Sequence, residues 1–194
     1  TLSAAGAFDA FESNRAAVNG NVDQIMALAN RLATNKAEGT SDLFGGSGGG
    51  AAKLDIRPVK AWTPMEKLNE EFAAIGFFLS GHPLDEYESV LPKLGVLPFA
   101  EFEASTPLGT GAGRLAAIVV AARIKKSQKG NTFAFGMFSD KTGQFEAVIF
   151  SDTLNQAGDL LTPGTPVLLA VQAERDGETL KMRVQHVEAL DRAA

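Results

Sequence analysis

Apolar and polar residues alternate along the second half of the chain in five short runs. The runs cover residues 115–124, 132–139, 144–150, 166–175 and 178–189. Alternation with a period of two places every second side chain on one face of an extended strand, so the pattern predicts five β-strands. The sequences Asp-Lys-Thr-Gly at 140–143 and Asp-Gly at 176–177 are typical of tight turns between neighbouring strands.

A helix is predicted over residues 152–161, between the third and fourth strands. Five strands with a helix after the third is the element order of an OB-fold, a partly open barrel that often binds oligonucleotides. The hairpin between the first two strands, which lies beside the usual binding face of such barrels, is basic here. We therefore expect a five-stranded OB-fold β-barrel over residues 113–191.

The first part of the chain follows a helical period instead. Apolar residues spaced three and four apart predict an amphipathic helix over residues 15–34, with Asn14 as its N-cap. The sequence Thr-Pro-Met-Glu at 63–66 predicts the start of a second helix, because threonine caps, proline fits the first turn and glutamate completes a capping box. Gly81 and Pro83 are expected to end this helix.

The remaining stretches are predicted to be less regular. Residues 37–60 are polar and rich in glycine, and they bury too little apolar surface to offset the entropy of ordering them, which predicts a flexible linker. A short helix is expected over residues 84–91 and a mostly irregular connection over residues 92–113. The predicted class is α+β, with an N-terminal helical segment and a flexible linker followed by the barrel. The predicted divisions are 1–36 (helical segment), 37–60 (linker), 61–112 (helical connector) and 113–191 (barrel).

The overall composition is that of a globular protein, since 45% of the residues are hydrophobic. The formal net charge is −5, from 18 basic and 23 acidic residues, so any nucleic-acid role must depend on a local basic patch. The absence of cysteine excludes disulfides and zinc knuckles. No apolar run is long enough to cross a bilayer, no signal peptide opens the chain and no initiator Met is present, so we expect a cytoplasmic fragment of a longer protein.

The candidate nucleic-acid-binding residues lie in the basic hairpin and at the start of the second strand. Cationic side chains there neutralise phosphates without reading sequence, and phenylalanine rings on an open face stack on bases. By strict alternation Phe133 and Phe135 share one face of the strand, whereas Phe138 lies on the other. The alternative is that the rings fill the barrel core and the lysines form only a solvated turn. The candidates are Arg123, Lys125, Lys126, Lys129, Asn131, Phe133 and Phe135.

No catalytic constellation is recognisable in the sequence. Glu70 and Glu71 occupy adjacent helix positions that face different directions, so they are expected to form a solvated face rather than a metal site. His82, between a glycine and a proline, fits a turn better than a general base, and His186 has no partner nearby in sequence. We predict no catalytic residue, no metal site and no cofactor.

Two large apolar residues, Leu43 and Phe44, stand alone inside the glycine-rich stretch. Such a pair can anchor an extended peptide in a pocket of a partner, with the glycine tract supplying reach. The alternative is that the pair folds back onto the helices or has no role.

Several blocks of the sequence resemble the bacterial replicative DNA polymerase III alpha subunit. The most specific is Leu-Ser-Gly-His-Pro-Leu-Asp-Glu-Tyr at 79–87, and others are Ala-Gly-Ala-Phe-Asp at 5–9 and Ser-Asp-Lys-Thr-Gly-Gln-Phe-Glu at 139–146. The resemblance implies that residues 1–36 end a helix-hairpin-helix region that contacts duplex DNA. It also implies that the OB domain meets single-stranded DNA template and that other replisome subunits are partners. The parent protein would be a DNA-directed DNA polymerase, a nucleotidyltransferase, whose catalytic aspartates lie upstream of this chain.

The resemblance further implies a peptide that binds the sliding clamp, the beta subunit. The family pattern is Gln, any residue, Ser or Asp, Leu or Met, then Phe. Asp42, Leu43 and Phe44 fit this pattern, whereas Thr40 stands where the pattern has glutamine. The predicted clamp-binding residues are Thr40, Ser41, Asp42, Leu43 and Phe44.

Two other functions are open from the barrel alone. A barrel of the type that binds the tRNA anticodon would be an RNA-binding module with the same element order, although the block at 79–87 argues against it. An OB-fold used only for protein interaction would suit the acidic balance of the chain, because fold does not fix function. A steep salt dependence of binding would distinguish DNA binding from the second alternative.

Overall fold

The computed structural model describes residues 2–37, 54, 56–106, 109–128 and 130–193, and it divides into two units, Thr1–Ser80 and Gly81–Ala194. The first unit contains helices α1 (Arg15–Gly20), α2 (Val22–Ala37) and α3 (Pro64–Ile75).

The single helix predicted over residues 15–34 is in fact two helices that break at Asn21. The buried amide of Asn21 donates to the carbonyl of Ala17 at 2.7 Å and accepts from the N–H of Arg57 at 3.0 Å. A contact with a residue far along the chain therefore interrupts the local helical period. The predicted cap is confirmed, because the Asn14 side chain accepts from the N–H of Ala17 at 3.2 Å.

The start of α3 is as predicted, whereas its end is not. Thr63 and Glu66 form the capping box, with the Glu66 N–H donating to Thr63 Oγ1 at 3.3 Å and the Thr63 N–H donating to Glu66 Oε2 at 2.7 Å. The helix ends at Ile75, because Gly76 adopts a left-handed conformation with φ of 83° and its N–H bonds back to the carbonyl of Phe72. The expected end at Gly81 was wrong.

The prediction that Glu70 and Glu71 form a solvated face is wrong for Glu71, whose side chain is fully buried. Its Oε2 accepts from the buried guanidinium of Arg15 at 2.9 Å, and its Oε1 accepts from the N–H of Ser80 at 2.7 Å. Arg15 also pairs with Asp9 at 2.7 Å. Burial acts to raise the pKa of Glu71, but hydrogen bonds from Ser80 and Arg15 outweigh it and hold the pKa below its ordinary value. The buried Arg15–Glu71 pair therefore ties the start of α1 to α3, and Asp9 joins the segment before α1 to the same guanidinium.

The second unit is built on a closed barrel of five strands, β1 (Gly109–Lys126), β2 (Thr132–Asp140), β3 (Gly143–Phe150), β4 (Pro166–Asp176) and β5 (Thr179–Ala189). Their order around the barrel is β1-β2-β3-β5-β4. All neighbouring strands are antiparallel except β3 and β5, which pair in parallel over a very short ladder. Helix α5 (Ser151–Ala157) follows the third strand and α6 (Leu190–Ala193) follows the fifth. The predicted OB-fold barrel and the α+β class are thus confirmed.

Residues 92–113 are more regular than predicted. Helix α4 (Phe99–Ser105) lies within this stretch, and β1 already begins at Gly109. Phe102 of α4 packs so closely on β1 that a Cβ at Gly113 would lie 2.7 Å from its ring. The glycine at this position therefore makes room for a helix on the strand, rather than marking an irregular connection.

One face of each strand fills the barrel. Phe138 is fully buried and lies over Gly136, where a Cβ would sit 2.6 Å from the phenylalanine ring. The small residue is thus required by the ring beside it. The opposite residues of β3 lie mostly on the outer surface, whereas those of β1 and β4 include the buried side chains of Ile118 and Leu168. Other fully buried side chains of the barrel are Leu115, Ile118, Ile149, Val167 and Leu169.

The residues after Gly81 join the barrel through His82. They form two 3-10 turns, Pro83–Tyr87 and Leu91–Leu94, instead of the single helix predicted over residues 84–91. His82 Nδ1 accepts from the N–H of Leu84 at 3.1 Å, and its Nε2 lies 3.3 Å from Ser139 Oγ of β2. His82 therefore lies in a turn, as predicted, and caps the first 3-10 helix.

The longer helices that the structure describes are α2, with 16 residues, and α3, with 12. Within the described ranges, no helix combines the length and the apolar character needed to span a bilayer.

Candidate nucleic-acid interface

Seven side chains from four strands share the outer face of the barrel, because residues opposite each other in a ladder point the same way. Arg123 lies opposite Phe135, which lies opposite Val148. Val148 in turn pairs with Arg183 across the short parallel ladder between β3 and β5. A second row runs from Lys125 through Phe133 to Phe150. We call this surface the aromatic-basic face; it comprises Arg123, Lys125, Phe133, Phe135, Val148, Phe150 and Arg183.

The phenylalanines of β2 divide between the two faces as predicted. Phe133 and Phe135 are half-buried on the outer side and pack edge to face, with ring centroids 5.5 Å apart. Lys125 Nζ lies 4.9 Å from the centroid of the Phe135 ring, a distance typical of a cation–π contact. Phe138 lies in the core. The outer side of β2 therefore combines accessible aromatic surface with positive charge.

The positive charges of the face have no ion-pair partner among the residues that the structure describes. Within the described residues, Arg123, Lys125 and Arg183 are exposed and take part in no salt bridge. By comparison, Lys181, on the same strand as Arg183, is paired with Asp176 at 3.6 Å. A chain with a net charge of −5 thus still presents a local cluster of cations.

The strands of the basic hairpin extend further than predicted, and the loop between them is correspondingly shorter. The β1–β2 ladder continues to Lys126, which lies opposite Thr132, so the connecting loop covers only residues 127–131. Because side chains alternate along a strand, Lys126 points away from Lys125 and does not belong to the aromatic-basic face. Both lysines were predicted to lie in the loop, because the first strand was expected to end at residue 124.

The remaining predicted residues of the hairpin lie in its loop. Asn131 closes the loop, since its N–H donates to Ser127 Oγ at 3.1 Å and its carbonyl accepts from the Ser127 N–H at 2.8 Å. Gly130 has a φ of 82°, a left-handed conformation that favours glycine in such a tight turn. Lys129 lies outside the described residues, as do all five predicted clamp-binding residues, Thr40, Ser41, Asp42, Leu43 and Phe44.

Three members of the face, Val148, Phe150 and Arg183, were not among the residues predicted from the sequence. Phe150 is 46% exposed at the end of β3, and the guanidinium carbon of Arg183 lies 5.0 Å from the centroid of its ring. Alternation from the buried Ile149 would have placed Phe150 outside. No local signal identifies Arg183, because only the register between β3 and β5 brings it beside Phe150.

Residues 118–190 match the family of OB-fold nucleic acid binding domains. The matched range covers most of the barrel and contains every residue of the aromatic-basic face. This match comes from the sequence, and the strand order of the structure identifies the same fold independently.

Over nearly its whole length the chain is similar to DNA polymerase III subunit alpha. The relative from Caulobacter vibrioides is 35% identical over 178 residues, which are 91% of this chain and 16% of the relative. The relative from Haemophilus influenzae is 30% identical over 200 residues, which are 100% of this chain and 17% of the relative. The chain thus spans about one sixth of the length of the curated relatives that it matches, and the resemblance noted in the sequence is confirmed.

Among solved structures, the second OB-fold domain of replication protein A from Methanococcus maripaludis is similar to this chain. It has a TM-score of 0.35 and 16% identity, over 44% of this chain and 89% of its own. The single-stranded DNA binding protein Rim1 from S. cerevisiae has a TM-score of 0.36 and 14% identity, over 41% of this chain and 95% of its own.

Proposed function

We propose that this chain, a relative of one segment of the DNA polymerase III alpha subunits, binds single-stranded DNA template through the aromatic-basic face of its OB barrel. The proposal depends on one arrangement, in which three cations and three accessible phenylalanine rings share the outer side of a closed barrel. Within the part of the chain that the structure describes, none of these cations forms a salt bridge. The match of the barrel to OB-fold nucleic acid binding domains supports it.

The chemistry of the face suits a single strand better than a duplex. Its cations attract phosphates without reading sequence, and an aromatic ring can stack on any base that is not already stacked in a duplex. Such stacking is worth about 1–3 kcal/mol per base in single-strand binding proteins. In a duplex the base faces are covered by neighbouring base pairs, so only the phosphate contacts would be available.

In this proposal the chain supplies binding rather than catalysis. It would hold template for a DNA-directed DNA polymerase in the cytoplasm, and other replisome subunits would be its partners. The similarity to DNA polymerase III subunit alpha over nearly the whole chain supports this assignment. The polymerase activity of such a protein would require residues beyond the one sixth that this chain covers.

We also propose that Leu43 and Phe44 anchor the chain in a pocket of the sliding clamp. The support is the sequence pattern at 40–44, in which two large apolar residues follow Asp42. A clamp contact and a template contact on one chain reinforce each other through effective concentration, so neither needs to be strong alone.

Template binding is tested by fluorescence anisotropy with a labelled oligothymidylate of about 16 nucleotides, the upper end of OB-fold site sizes. Lys125→Glu should weaken binding about 30-fold at low salt, because about 1 kcal/mol of attraction at 4 Å in water becomes a similar repulsion. Lys93→Glu, which makes the same charge change in an exposed turn outside the face, is the control. Equal losses in the two variants, or no binding by the unchanged chain at low salt, would contradict the proposal.

Clamp binding is tested with an immobilised bacterial sliding clamp and the full chain. Leu43→Ala/Phe44→Ala should abolish the signal, and Thr40→Gln should strengthen it because glutamine restores the family pattern. Phe11→Ala/Leu32→Ala removes two exposed apolar side chains elsewhere and serves as the control. Equal binding to the clamp by the unchanged chain and by Leu43→Ala/Phe44→Ala would refute the clamp contact.

A further inference from the structure

An apolar groove of about 410 Å³ lies in the first unit. It is lined by residues that precede α1, among them Phe11, and by residues of α2, among them Val22 and Met26. Among the residues that the structure describes, the lining is apolar except for the side chains of Ser3 and Glu12. The groove is separate from the aromatic-basic face, all of whose residues belong to the second unit.

The large apolar side chains of the groove remain exposed, although apolar residues of this size are usually buried in folded proteins. Phe11 is 89% exposed, Leu2 67% and Met26 54%, and Phe8 and Val22 are each exposed by more than a third. With about 200 Å² for one large side chain, these five expose about 600 Å² of apolar surface. The largest apolar patch of a typical monomer is about 300–600 Å², and patches at the upper end of this range mark contacts with another molecule.

Negative charge borders this apolar surface. Glu12 lines the groove, and Asp23 lies three residues before Met26 on α2, so that the side chains of Asp23 and Met26 are neighbours on the helix surface. Within the described residues neither carboxylate forms a salt bridge, and the lining contains no lysine or arginine. Arg15 of α1 is buried and already held in two salt bridges. The groove therefore offers apolar contact beside two carboxylates that suit a cationic partner.

The charge beside the groove distinguishes between the candidate occupants. A second copy of the chain would bring Glu12 and Asp23 close to the same two residues, and like charges across an interface disfavour a partner. Elsewhere in this chain Leu43 and Phe44 offer large apolar side chains, but Asp42 directly precedes them and adds a further negative charge. The phosphates of DNA are repelled for the same reason. A protein segment with lysine or arginine beside its apolar residues is therefore the occupant that the charge favours.

We propose that this groove binds a basic amphipathic helix of another protein. The apolar face of the helix packs on Phe11 and Met26, and its lysine or arginine side chains reach Glu12 and Asp23. A helix laid in an apolar groove is a common mode of recognition, in which residues spaced three and four apart supply the anchors. With 16 residues, α2 is long enough for a second helix to pack alongside it. This inference does not depend on DNA binding by the barrel.

The test measures, by fluorescence anisotropy, how the full chain binds a labelled peptide of leucine and lysine in which leucine recurs at helical spacing. One comparison peptide has glutamate in place of every lysine, and another distributes the leucines so that no apolar face forms. Phe11→Ala/Met26→Ala should weaken binding of the lysine peptide at least about fivefold, as truncation of central contact residues does. Glu12→Gln/Asp23→Asn should weaken it about 5- to 30-fold at low salt, since an attraction between unit charges about 4 Å apart in water is worth about fivefold.

Two variants with changes outside the groove are the matched controls. They are Leu79→Ala/Ile124→Ala, which truncates exposed apolar side chains, and Glu101→Gln/Glu178→Gln, which neutralises exposed carboxylates. Equal losses in a control and in the corresponding groove variant would overturn the proposal, because general attraction to an acidic chain would then explain the binding. Equal binding of the lysine peptide and of either comparison peptide would overturn it as well.

Sedimentation of the unchanged chain and of Phe11→Ala/Met26→Ala measures self-association. A dimer that only the unchanged chain forms would assign the groove to a second copy and overturn the proposal. Should Phe11→Ala/Met26→Ala not fold, binding by Glu12→Gln/Asp23→Asn decides the question. Glutamine at position 12 keeps a side-chain oxygen to accept from the N–H of Asn14, as Glu12 does at 2.9 Å.

Discussion

Replacing Arg123 and Lys125 together with alanine is expected to weaken the salt dependence of DNA binding as well as the affinity. Both side chains are exposed on the aromatic-basic face, and within the described residues neither forms a salt bridge. Each cation that neutralises a phosphate of a single strand contributes about 0.7 to the slope of log affinity against log salt concentration. Removing two such contacts should therefore reduce the size of the slope by about 1.4.

The three cations of the face set the scale for the unchanged chain. Arg123, Lys125 and Arg183 together correspond to a slope of about −2, so the affinity should fall about 20-fold between about 50 and 200 mM salt. With only Arg183 left, the slope should be about −0.7 and the same change in salt should lower the affinity about threefold. The two proteins should thus differ most at low salt and converge as salt rises.

Anisotropy titrations of labelled oligothymidylate at several salt concentrations measure both slopes. Lys93→Ala/Arg192→Ala is the matched control, because it removes two exposed positive charges of the same unit that do not belong to the face. An equal drop of slope in the control would refute the reasoning, since net charge rather than local phosphate contacts would then explain it. An unchanged slope in the double variant would show that these two side chains do not contact phosphates.

Three further predictions concern stability. Glu71→Ala should lower the free energy of unfolding in urea by about 3–5 kcal/mol, because the buried Arg15 guanidinium loses a partner; a loss no larger than that of Glu70→Ala would contradict this. Gly136→Ala should cost about 1–3 kcal/mol in thermal unfolding, because a Cβ would lie 2.6 Å from Phe138, whereas Gly158→Ala, with open space around it, should be tolerated. Burial lowers the pKa of His82 despite the opposing charges of Asp140 and Asp85, so the unfolded chain binds the proton more tightly. Stability should therefore fall as pH drops below about 6.5, and His82→Asn should remove this component when urea unfolding is compared at about pH 7.5 and 5.5.

The parts of the fold that could be predicted are those that depend on neighbours in sequence. Alternation alone gave the five strands and separated Phe133 and Phe135 from Phe138, because the period of a strand is local. The capping box at Thr63 was found for the same reason. By contrast, α1 and α2 separate at Asn21, whose side-chain amide accepts a hydrogen bond from the backbone of Arg57. The spacing of apolar residues in the helices carries no information about a partner so far along the chain.

The same distinction applies to individual charged residues. Glu71 was expected to be solvated because two adjacent glutamates on a helix usually are, yet its environment is decided by Arg15, which lies in another helix. Lys126 was grouped with Lys125 because the hairpin loop was drawn too long, and the alternation of an extended β1 separates them. Arg183 could not be predicted, because the pairing of β3 with β5, and not the local sequence, places it beside Phe150.

The barrel separates the residues that fold it from those proposed to bind DNA. Ala134 and Gly136 are small because they face a core already filled by Phe138, while their neighbours Phe133 and Phe135 point outward. Since the core does not require the outer rings or cations, truncating an exposed member such as Phe150 removes little buried apolar surface. Changes at the exposed positions of the face should therefore alter affinity with little effect on folding, which makes the binding of such variants a direct measure of the contacts they lose.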